Sequence, residues 1–159
     1  MSGEHSALSP IARCLRPPPP DAGVVVGGIY RYGDGVRADF LAPHEYQGHP
    51  GIVHGGVSAM LLDEVMGYAV VADQATHAIT QRLRITYISP VPTGENHYLQ
   101  AQLESFEGDF GVVLGNIFNQ EGELLVTATG LFRLENDIAA NFALRDSQTG
   151  IQPTPASRD

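Results

Sequence analysis

The sequence predicts an α+β domain in which a curled antiparallel sheet of about six strands wraps around one long buried helix. Three observations support this prediction. The stretch from Val57 to Ala72 is apolar on nearly every side, which is typical of a helix that is buried all round. Two segments with the pattern of strands precede it, and four follow it. A sheet of this size encloses one apolar helix if it curls around it.

The composition is that of one globular domain. With 159 residues, of which 43% are hydrophobic and 17% charged, the chain is long enough for one sizeable core and too short for two. The formal net charge is −9, and no run of lysine or arginine forms a basic stripe. Nucleic acid is therefore not expected as a partner.

The single cysteine, Cys14, cannot form an internal disulfide and fits a reducing compartment. No basic segment followed by an apolar one opens the chain, so we expect no signal peptide. No apolar stretch is expected to reach the length of a membrane span, because charges or glycines interrupt the longest ones. We therefore expect a cytoplasmic protein.

The domain is predicted to cover residues 24–135, with both ends of the chain outside it. Residues 1–23 include the run Pro17-Pro18-Pro19-Pro20, and proline favours extended polyproline II, so we predict a largely disordered arm. Residues 136–159 are polar apart from Ile138 to Leu144, a pattern that predicts at most a short helix followed by a disordered tail.

The segments Val24–Tyr32 and Val36–Leu41 are predicted to form a hairpin around Gly33-Asp34-Gly35. A loop from Ala42 to Val53 then leads to the helix. The four later strands are predicted at Ile79–Ile88, Tyr98–Phe106, Gly111–Asn119 and Leu124–Leu134. In the first of these, strict alternation predicts two opposite faces, one with Ile79, Leu83, Ile85 and Tyr87 and the other with Thr80, Arg82, Arg84 and Thr86.

The start of the helix carries the candidate chemistry. Gly55 and Gly56 open a helix of otherwise good helix formers, although glycine costs about 0.5–1 kcal/mol relative to alanine there. Adjacent glycines indicate that a ligand approaches the backbone closely. The unpaired N–H groups and the partial positive charge of a helix N-terminus stabilise a carbonyl that develops negative charge during attack.

Two carboxylates, Asp63 and Glu64, lie about two turns into this apolar helix. Carboxylates there destabilise the fold unless they are solvated, paired with a cation or retained for a catalytic role. A carboxylate beside a carbonyl site can activate water or attack the carbonyl itself. The residues alone leave a second interpretation open, in which both acids pair with Arg82, Arg84 or a second copy of the chain.

The segment from Gly51 to Gly67 resembles the hotdog-fold thioesterase superfamily, close to its phenylacetate-type and human thioesterase-superfamily branches. In these branches a His-Gly-Gly motif is followed, nine positions after the histidine, by the catalytic Asp or Glu, and Asp63 has this spacing from His54. The similarity covers about residues 45–135, and Tyr87 to Gly94 resembles the bend after the third strand. The resemblance implies the hotdog fold and the hydrolysis of an acyl-CoA thioester to a carboxylic acid and free CoA.

The resemblance also implies roles for individual residues. The N–H of Gly55 would polarise the thioester carbonyl, and Asp63 would act as general base on water or as nucleophile. Thr80 has the position of a hydroxyl near the attacking water, with an ordinary strand threonine as the alternative. His54 completes the candidate catalytic set, chiefly as a helix cap. Candidates for substrate binding are Gly56, His49, Glu64, Arg82 and Arg84; the arginines would meet CoA phosphates or, alternatively, pair with carboxylates.

One position departs from the family pattern. Several members have Asn or Gln six positions before the histidine, where this chain has Gly48, and His49 is the nearest substitute. This departure keeps open a non-catalytic protein that binds or senses acyl-CoA. Hydration of an enoyl thioester is disfavoured, because enzymes of that kind have a histidine some five residues after the Asp, where this chain has Tyr68.

Because CoA is part of the substrate, no cofactor is expected. His44, His49 and His54 recur every five residues, a spacing that matches no standard zinc motif, so no metal site is expected either. Hotdog active sites usually lie between subunits. The resemblance therefore implies a homodimer or homotetramer in which Asp63 of one copy faces the Gly55 helix end of another.

Overall fold

One helix of 20 residues, α2 (Gly55–Gln74), packs against a curled, seven-stranded antiparallel sheet. The computed structural model describes residues 10–74 and 76–135. The strands follow one another along the sheet in the order β1-β2-β3-β5-β6-β7-β4. Their bounds are Val24–Val26 (β1), Ile29–Tyr32 (β2), Gly35–Leu41 (β3), His77–Tyr87 (β4), Asn96–Glu107 (β5), Phe110–Asn119 (β6) and Leu124–Glu135 (β7). This is the predicted hotdog fold.

The predicted first strand is divided in two. Gly27 has a φ of +53°, a conformation that L side chains rarely adopt, and the chain turns there between β1 and β2. The hairpin after it has a two-residue loop, Gly33-Asp34, because Tyr32 pairs with Gly35 across β2 and β3. A seven-stranded sheet therefore replaces the predicted six strands.

The sheet covers one stripe of α2 rather than its whole circumference. The buried positions recur every three or four residues, as one helical face requires; they are Ser58, Leu61, Leu62, Val65, Met66, Ala69 and Val70. Apolar residues between them, such as Met60 and Val71, are only half-buried. The expectation that α2 is buried all round is therefore not met within a single chain.

Two glycines in the sheet allow α2 to approach closely. A Cβ atom on Gly115 would lie 2.6 Å from Sδ of Met66, and one on Gly130 would lie 3.0 Å from Cε of the same residue. Gly115 on β6 and Gly130 on β7 therefore identify the face of the sheet that contacts the helix. Their sequence neighbours, such as Thr129 and Leu131, point to the opposite, outer face.

Strand β4 contains a bulge that changes which side its residues face. Thr80 pairs with Phe132, whereas Arg82 pairs with Leu131, so Gln81 is an extra residue without an equivalent on β7. The bulge shifts the alternation by one position. Thr80 consequently faces the helix together with Leu83 and Ile85, contrary to the strict alternation predicted from the sequence.

The described part of the N-terminal segment is not simply extended. Pro10–Cys14 forms a short helix, α1, and Cys14 is buried in the core. The N–H of Arg16 donates to the carbonyl of Asp39, and Leu15 forms a bridge with Phe40 on β3. Residues 1–9 and the predicted C-terminal tail, 136–159, lie outside the described residues.

Contrary to the expectation that no apolar stretch reaches the length of a membrane span, α2 is long and apolar enough to cross a membrane by length and composition alone. The core helix of a globular domain has the same property. The stripe of α2 that the sheet covers gives its apolar character an explanation within the domain.

Candidate functional site

His54 caps the start of α2. Its Nδ1 accepts a hydrogen bond of 2.9 Å from the N–H of Gly56, and its carbonyl accepts the N–H groups of Val57 and Ser58 at 2.9 and 3.2 Å. These contacts satisfy three donors that a helix N-terminus otherwise leaves open. Within the described residues, no acceptor takes the N–H of Gly55, so this donor is available to a ligand.

Gly55 is also in contact with Tyr87, the last residue of β4. The hydroxyl of Tyr87 donates to the carbonyl of Gly55 at 2.6 Å. A Cβ atom on Gly55 would lie 3.3 Å from Oη and 3.4 Å from Cζ of Tyr87, so a larger residue would press on the tyrosine ring. The close contact with Tyr87 is a steric reason for a glycine at the first position of the helix.

The loop before α2 is tied to the connection between β4 and β5. The N–H of Val53 donates to the carbonyl of Val91 at 2.8 Å, and that of Thr93 donates to Gly51 at 2.9 Å. Nδ1 of His44 lies 2.7 Å from Oγ1 of Thr93, which adds a side-chain tie. The backbone around His54 is thus held by the segment that follows β4.

Gly48, where the resemblance led to the expectation of Asn or Gln, lies against His54. A Cβ atom on Gly48 would lie 3.3 Å from Cα and 3.4 Å from Cδ2 of His54, which is closer than most Cβ contacts. In this chain, packing against the capping histidine explains the glycine. His49 beside it is exposed and lines the same cavity as Gly55.

A cavity of about 710 Å³ opens in front of the helix start. It is bounded by the loop before α2, the first turn of α2 and the segment that follows β4. The residues that line it are Gly48, His49, Ile52, Val53, His54, Gly55, Ser58, Tyr87, Ile88, Ser89, Pro90 and Val91. Its volume is within the range of small-molecule sites, and Gly55 with its free N–H is one of its lining residues.

Asp63 forms a pair with Thr80. The hydroxyl of Thr80 donates to Oδ1 of Asp63 at 2.6 Å, joining β4 to the middle of α2. Asp63 is half-buried and Thr80 is exposed, so the pair is accessible from solvent. The bulge at Gln81 turns Thr80 toward the helix and so makes this contact possible.

The pair lines a second, smaller cavity of about 230 Å³. Its other lining residues are Glu64, Gly67, Tyr68, Val71, His77, Ala78 and Phe132. Burial raises the pKa of Glu64, and the neighbouring Asp63 carboxylate adds to the rise. Burial, assisted by Glu64, likewise raises the pKa of Tyr68. Two half-buried carboxylates, Asp63 and Glu64, thus border this cavity.

Gly55 and Asp63 do not meet within one chain. They are eight positions apart on the same helix, which corresponds to about 12 Å along its axis, and they line different cavities. Within one chain, the two groups implied by the resemblance are therefore separated by about two turns of the helix.

Arg82 and Arg84 lie on the outer face of the sheet. They pair with Leu131 and Thr129 on β7 and border a shallow groove with Val112 and Gly130. Asp63 lies on the opposite face, so neither arginine joins it in this chain. Among the described residues, the ion pairs are Arg13–Glu45, Arg37–Asp39 and Arg133–Glu135, and Asp63 and Glu64 are in none of them.

The three histidines at five-residue spacing have separate surroundings. His44 contacts Thr93, His54 caps α2, and His49 lies at the first cavity. Within residues 10–74 and 76–135, no group of three or more His, Cys, Asp or Glu side chains is placed to hold a metal ion.

Tyr87 is the residue of this site that sequence reasoning missed. The alternation of β4 assigned it to the apolar face with Leu83 and Ile85, and that assignment to a face is correct. The hydroxyl of Tyr87 contacts Gly55. The sequence indicated this contact only weakly, through a polar hydroxyl group on the last residue of an otherwise apolar strand face.

Residues 50–126 match the family model described as the Thioesterase superfamily. A mouse (Mus musculus) protein, acyl-coenzyme A thioesterase THEM4, is 36% identical over 87 residues, which cover 54% of this chain and 37% of that protein. The chain thus matches little more than a third of the length of this curated relative.

Two solved structures have a similar fold. The zebrafish thioesterase superfamily member 2 superposes with a TM-score of 0.67 at 17% identity and covers 82% of this chain and 91% of that one. A protein from Streptococcus mutans, solved bound to acetyl CoA, has a TM-score of 0.63 at 18% identity over 69% of this chain and 88% of its own.

Proposed function

We propose that this chain, whose residues 50–126 match the Thioesterase superfamily model, hydrolyses an acyl-CoA thioester to a carboxylic acid and free CoA. The observation that carries the proposal is the Asp63–Thr80 pair, a solvent-accessible carboxylate held at 2.6 Å by a hydroxyl. The similarity to an acyl-CoA thioesterase from mouse and to a protein bound to acetyl CoA supports the choice of substrate.

Asp63 supplies the group that starts the reaction. Thr80 occupies Oδ1, and within the described residues no partner takes Oδ2, which is therefore free to accept a proton from water. The deprotonated water attacks the thioester carbonyl carbon, the carbon–sulfur bond breaks, and the CoA thiolate leaves and takes up a proton. In the alternative route, Oδ2 attacks the carbonyl itself, and water hydrolyses the resulting mixed anhydride.

The N–H of Gly55 stabilises the negative charge that develops on the carbonyl oxygen. It is an unpaired donor at the N-terminus of a long helix, where the partial positive charge favours an anion. Gly55 has no side chain to obstruct the approach of the thioester. The larger cavity before it has room for part of the CoA moiety.

A second copy of the chain completes the site. Among the strands of residues 10–74 and 76–135, β4 is at the end of the sheet and pairs only with β7, so one of its edges is open in that part of the chain. The Asp63–Thr80 pair lies near the beginning of β4, and Tyr87 with Gly55 lies at its end. If two β4 edges pair antiparallel about a two-fold axis, the beginning of one strand approaches the end of the other. Asp63 of one copy then faces Gly55 of its partner, and the half-buried side of α2 is covered.

The proposal is tested by thiol release from short, medium, long-chain and aryl acyl-CoAs. We expect Asp63→Asn to lower kcat by about a hundredfold or more. The control is Asp73→Asn, which changes an exposed carboxylate near the end of the same helix and is expected to act like wild type. A folded Asp63→Asn variant with full activity contradicts the role of Asp63. Tight binding of acyl-CoA by the wild type without thiol release indicates a binding protein instead.

A further inference from the structure

The peptide unit that joins Gly55 to Gly56 is held at both ends by side chains. Its carbonyl accepts the hydroxyl of Tyr87 at 2.6 Å, and its N–H donates to Nδ1 of His54 at 2.9 Å. The two side chains come from different parts of the fold, one from the sheet edge and one from the loop before α2. Because a peptide unit is planar, fixing its carbonyl and its N–H fixes the orientation of the plane.

This part of the backbone would otherwise be poorly constrained. Two adjacent glycines have more conformational freedom than any other pair of residues, and the first turn of a helix lacks the full ladder of hydrogen bonds. A donor that stabilises an oxyanion acts through preorganisation, since it must not reorient during the reaction. The N–H of Gly55 is one Cα atom away from the peptide unit that Tyr87 and His54 hold.

The backbone around Tyr87 is firmly anchored, although the residue is 52% exposed. Its backbone pairs with Val126 on β7, and the N–H groups of the next two residues, Ile88 and Ser89, both donate to the carbonyl of Leu125. The ring lies 3.4–3.6 Å from the position that a Cβ atom on Gly55 would take, so it also packs against the glycine. Tyr87 therefore connects the start of the helix to a well-anchored part of the sheet.

We propose that Tyr87 is a positioning residue that, together with His54, fixes the Gly55–Gly56 peptide unit so that the N–H of Gly55 is aimed at the substrate carbonyl. This inference rests on the proposed thioesterase function. Tyr87 does not touch the reacting atoms in this arrangement. Its effect is on the transition state, through the orientation of the donor, and not on the affinity for substrate.

The test is Tyr87→Phe, which removes the hydroxyl and keeps the ring. The loss of one hydrogen bond of about 1 kcal/mol, expressed wholly in the transition state, corresponds to a kcat about fivefold lower with KM unchanged. The matched control is Tyr32→Phe, because Tyr32 is 51% exposed at the other end of the sheet. We expect Tyr32→Phe to keep the wild-type kcat and KM, and both variants to keep the wild-type oligomeric state.

A kcat of Tyr87→Phe within twofold of wild type overturns the proposal, and so does a change in KM alone or a dissociated oligomer. A wild type that hydrolyses no acyl-CoA overturns the thioesterase function instead. The positioning role is then read from the backbone by NMR. Tyr87→Phe is expected to shift the amide signals of Gly55 and Gly56 and speed the hydrogen exchange of Gly56, while Tyr32→Phe is not. Unchanged amides in Tyr87→Phe overturn the inference on their own.

Discussion

Thr80 reaches Asp63 because strand β4 has one residue more than its partner at Gln81. With strict alternation, Thr80 would face the same side as Arg82 and Arg84, away from the helix. The bulge reverses the direction of Thr80, and of Ile79 before it, relative to the part of the strand from Arg82 onward. A local irregularity in the sheet thus creates the contact on which the candidate active site depends, in keeping with the frequent occurrence of bulges next to active sites.

Thr80→Val is expected to lower kcat about tenfold, because Asp63 loses the hydrogen bond that orients its carboxylate. Valine preserves the β-branched shape, so the strand should be retained. The control is Thr86→Val, which makes the same change at an exposed position on the outer face of β4. Steady-state thiol release measures both variants, and equal kcat values for the two would contradict an orienting role for Thr80.

Gly55→Pro removes the N–H that is proposed to bind the oxyanion. Proline is favoured at the first position of a helix, where its missing N–H breaks no helical bond, so α2 is expected to form. Loss of an oxyanion donor lowers kcat by about a hundredfold or more. Gly55→Ala is the control, since it adds the same Cβ atom near Tyr87 but keeps the donor.

The comparison of these two variants separates the donor from the steric effect. We expect Gly55→Ala to lose some activity because its Cβ atom presses on Tyr87, and Gly55→Pro to lose much more. Circular dichroism and thermal melting establish that both variants fold. If the two have the same kcat, the N–H of Gly55 is not the catalytic donor.

His97 makes the stability of the fold sensitive to acid. It is 1% exposed, stacks on Phe40 with ring centroids 5.3 Å apart, and its Nε2 has no hydrogen-bond partner within the described residues. Burial lowers the pKa of His97 below its ordinary 6.5, partly opposed by the Glu95 carbonyl and by the Glu95 and Glu121 carboxylates. The unfolded chain therefore takes up a proton on this residue at a pH where the folded chain does not.

The direction in which pH changes the free energy of unfolding follows from proton linkage. The contribution of a neutral His97 is complete above pH 6.5 and is lost as the pH falls from 6.5 through the lower folded pKa. We expect His97→Leu to reduce the fall in the free energy of unfolding between pH 7 and pH 5, measured by urea denaturation. His49→Leu, at an exposed position, is the control. An identical pH dependence for His97→Leu and wild type would exclude His97 as the cause.

Most of the fold could be predicted from the sequence because its signals are local. Alternation marked the strands, and the glycines at Gly33 and Gly35 marked the hairpin. The bulge at Gln81 could not be predicted, because Ile79 and Leu83 are both apolar and fit a regular alternation along the chain. The contact between Tyr87 and Gly55 could not be predicted either, since it joins residues that are distant in sequence and meet only in the folded sheet.

Composition likewise could not show how α2 is covered. A helix that is apolar on all sides predicts burial on all sides, but the sheet of one chain covers only the stripe from Ser58 to Val70. The half-buried side carries Asp63, Glu64 and Tyr68, next to the open edge of β4. The apolar residues on that side, Met60 and Val71, are explained if a second copy of the chain covers them.

A shared site makes a prediction that a site within one chain does not. Asp63→Asn and Gly55→Pro should each be inactive alone. In a mixed dimer, one of the two sites combines the intact Asp63 of one copy with the intact Gly55 of its partner, while the other site has both defects. Random mixing makes half of the dimers mixed, so unfolding and refolding the two variants together should restore about a quarter of the wild-type activity. Refolding each variant alone is the control. If both groups act within one chain, every chain carries a defect and the mixture stays inactive. Recovery of activity therefore shows whether the catalytic carboxylate and the oxyanion donor come from different subunits.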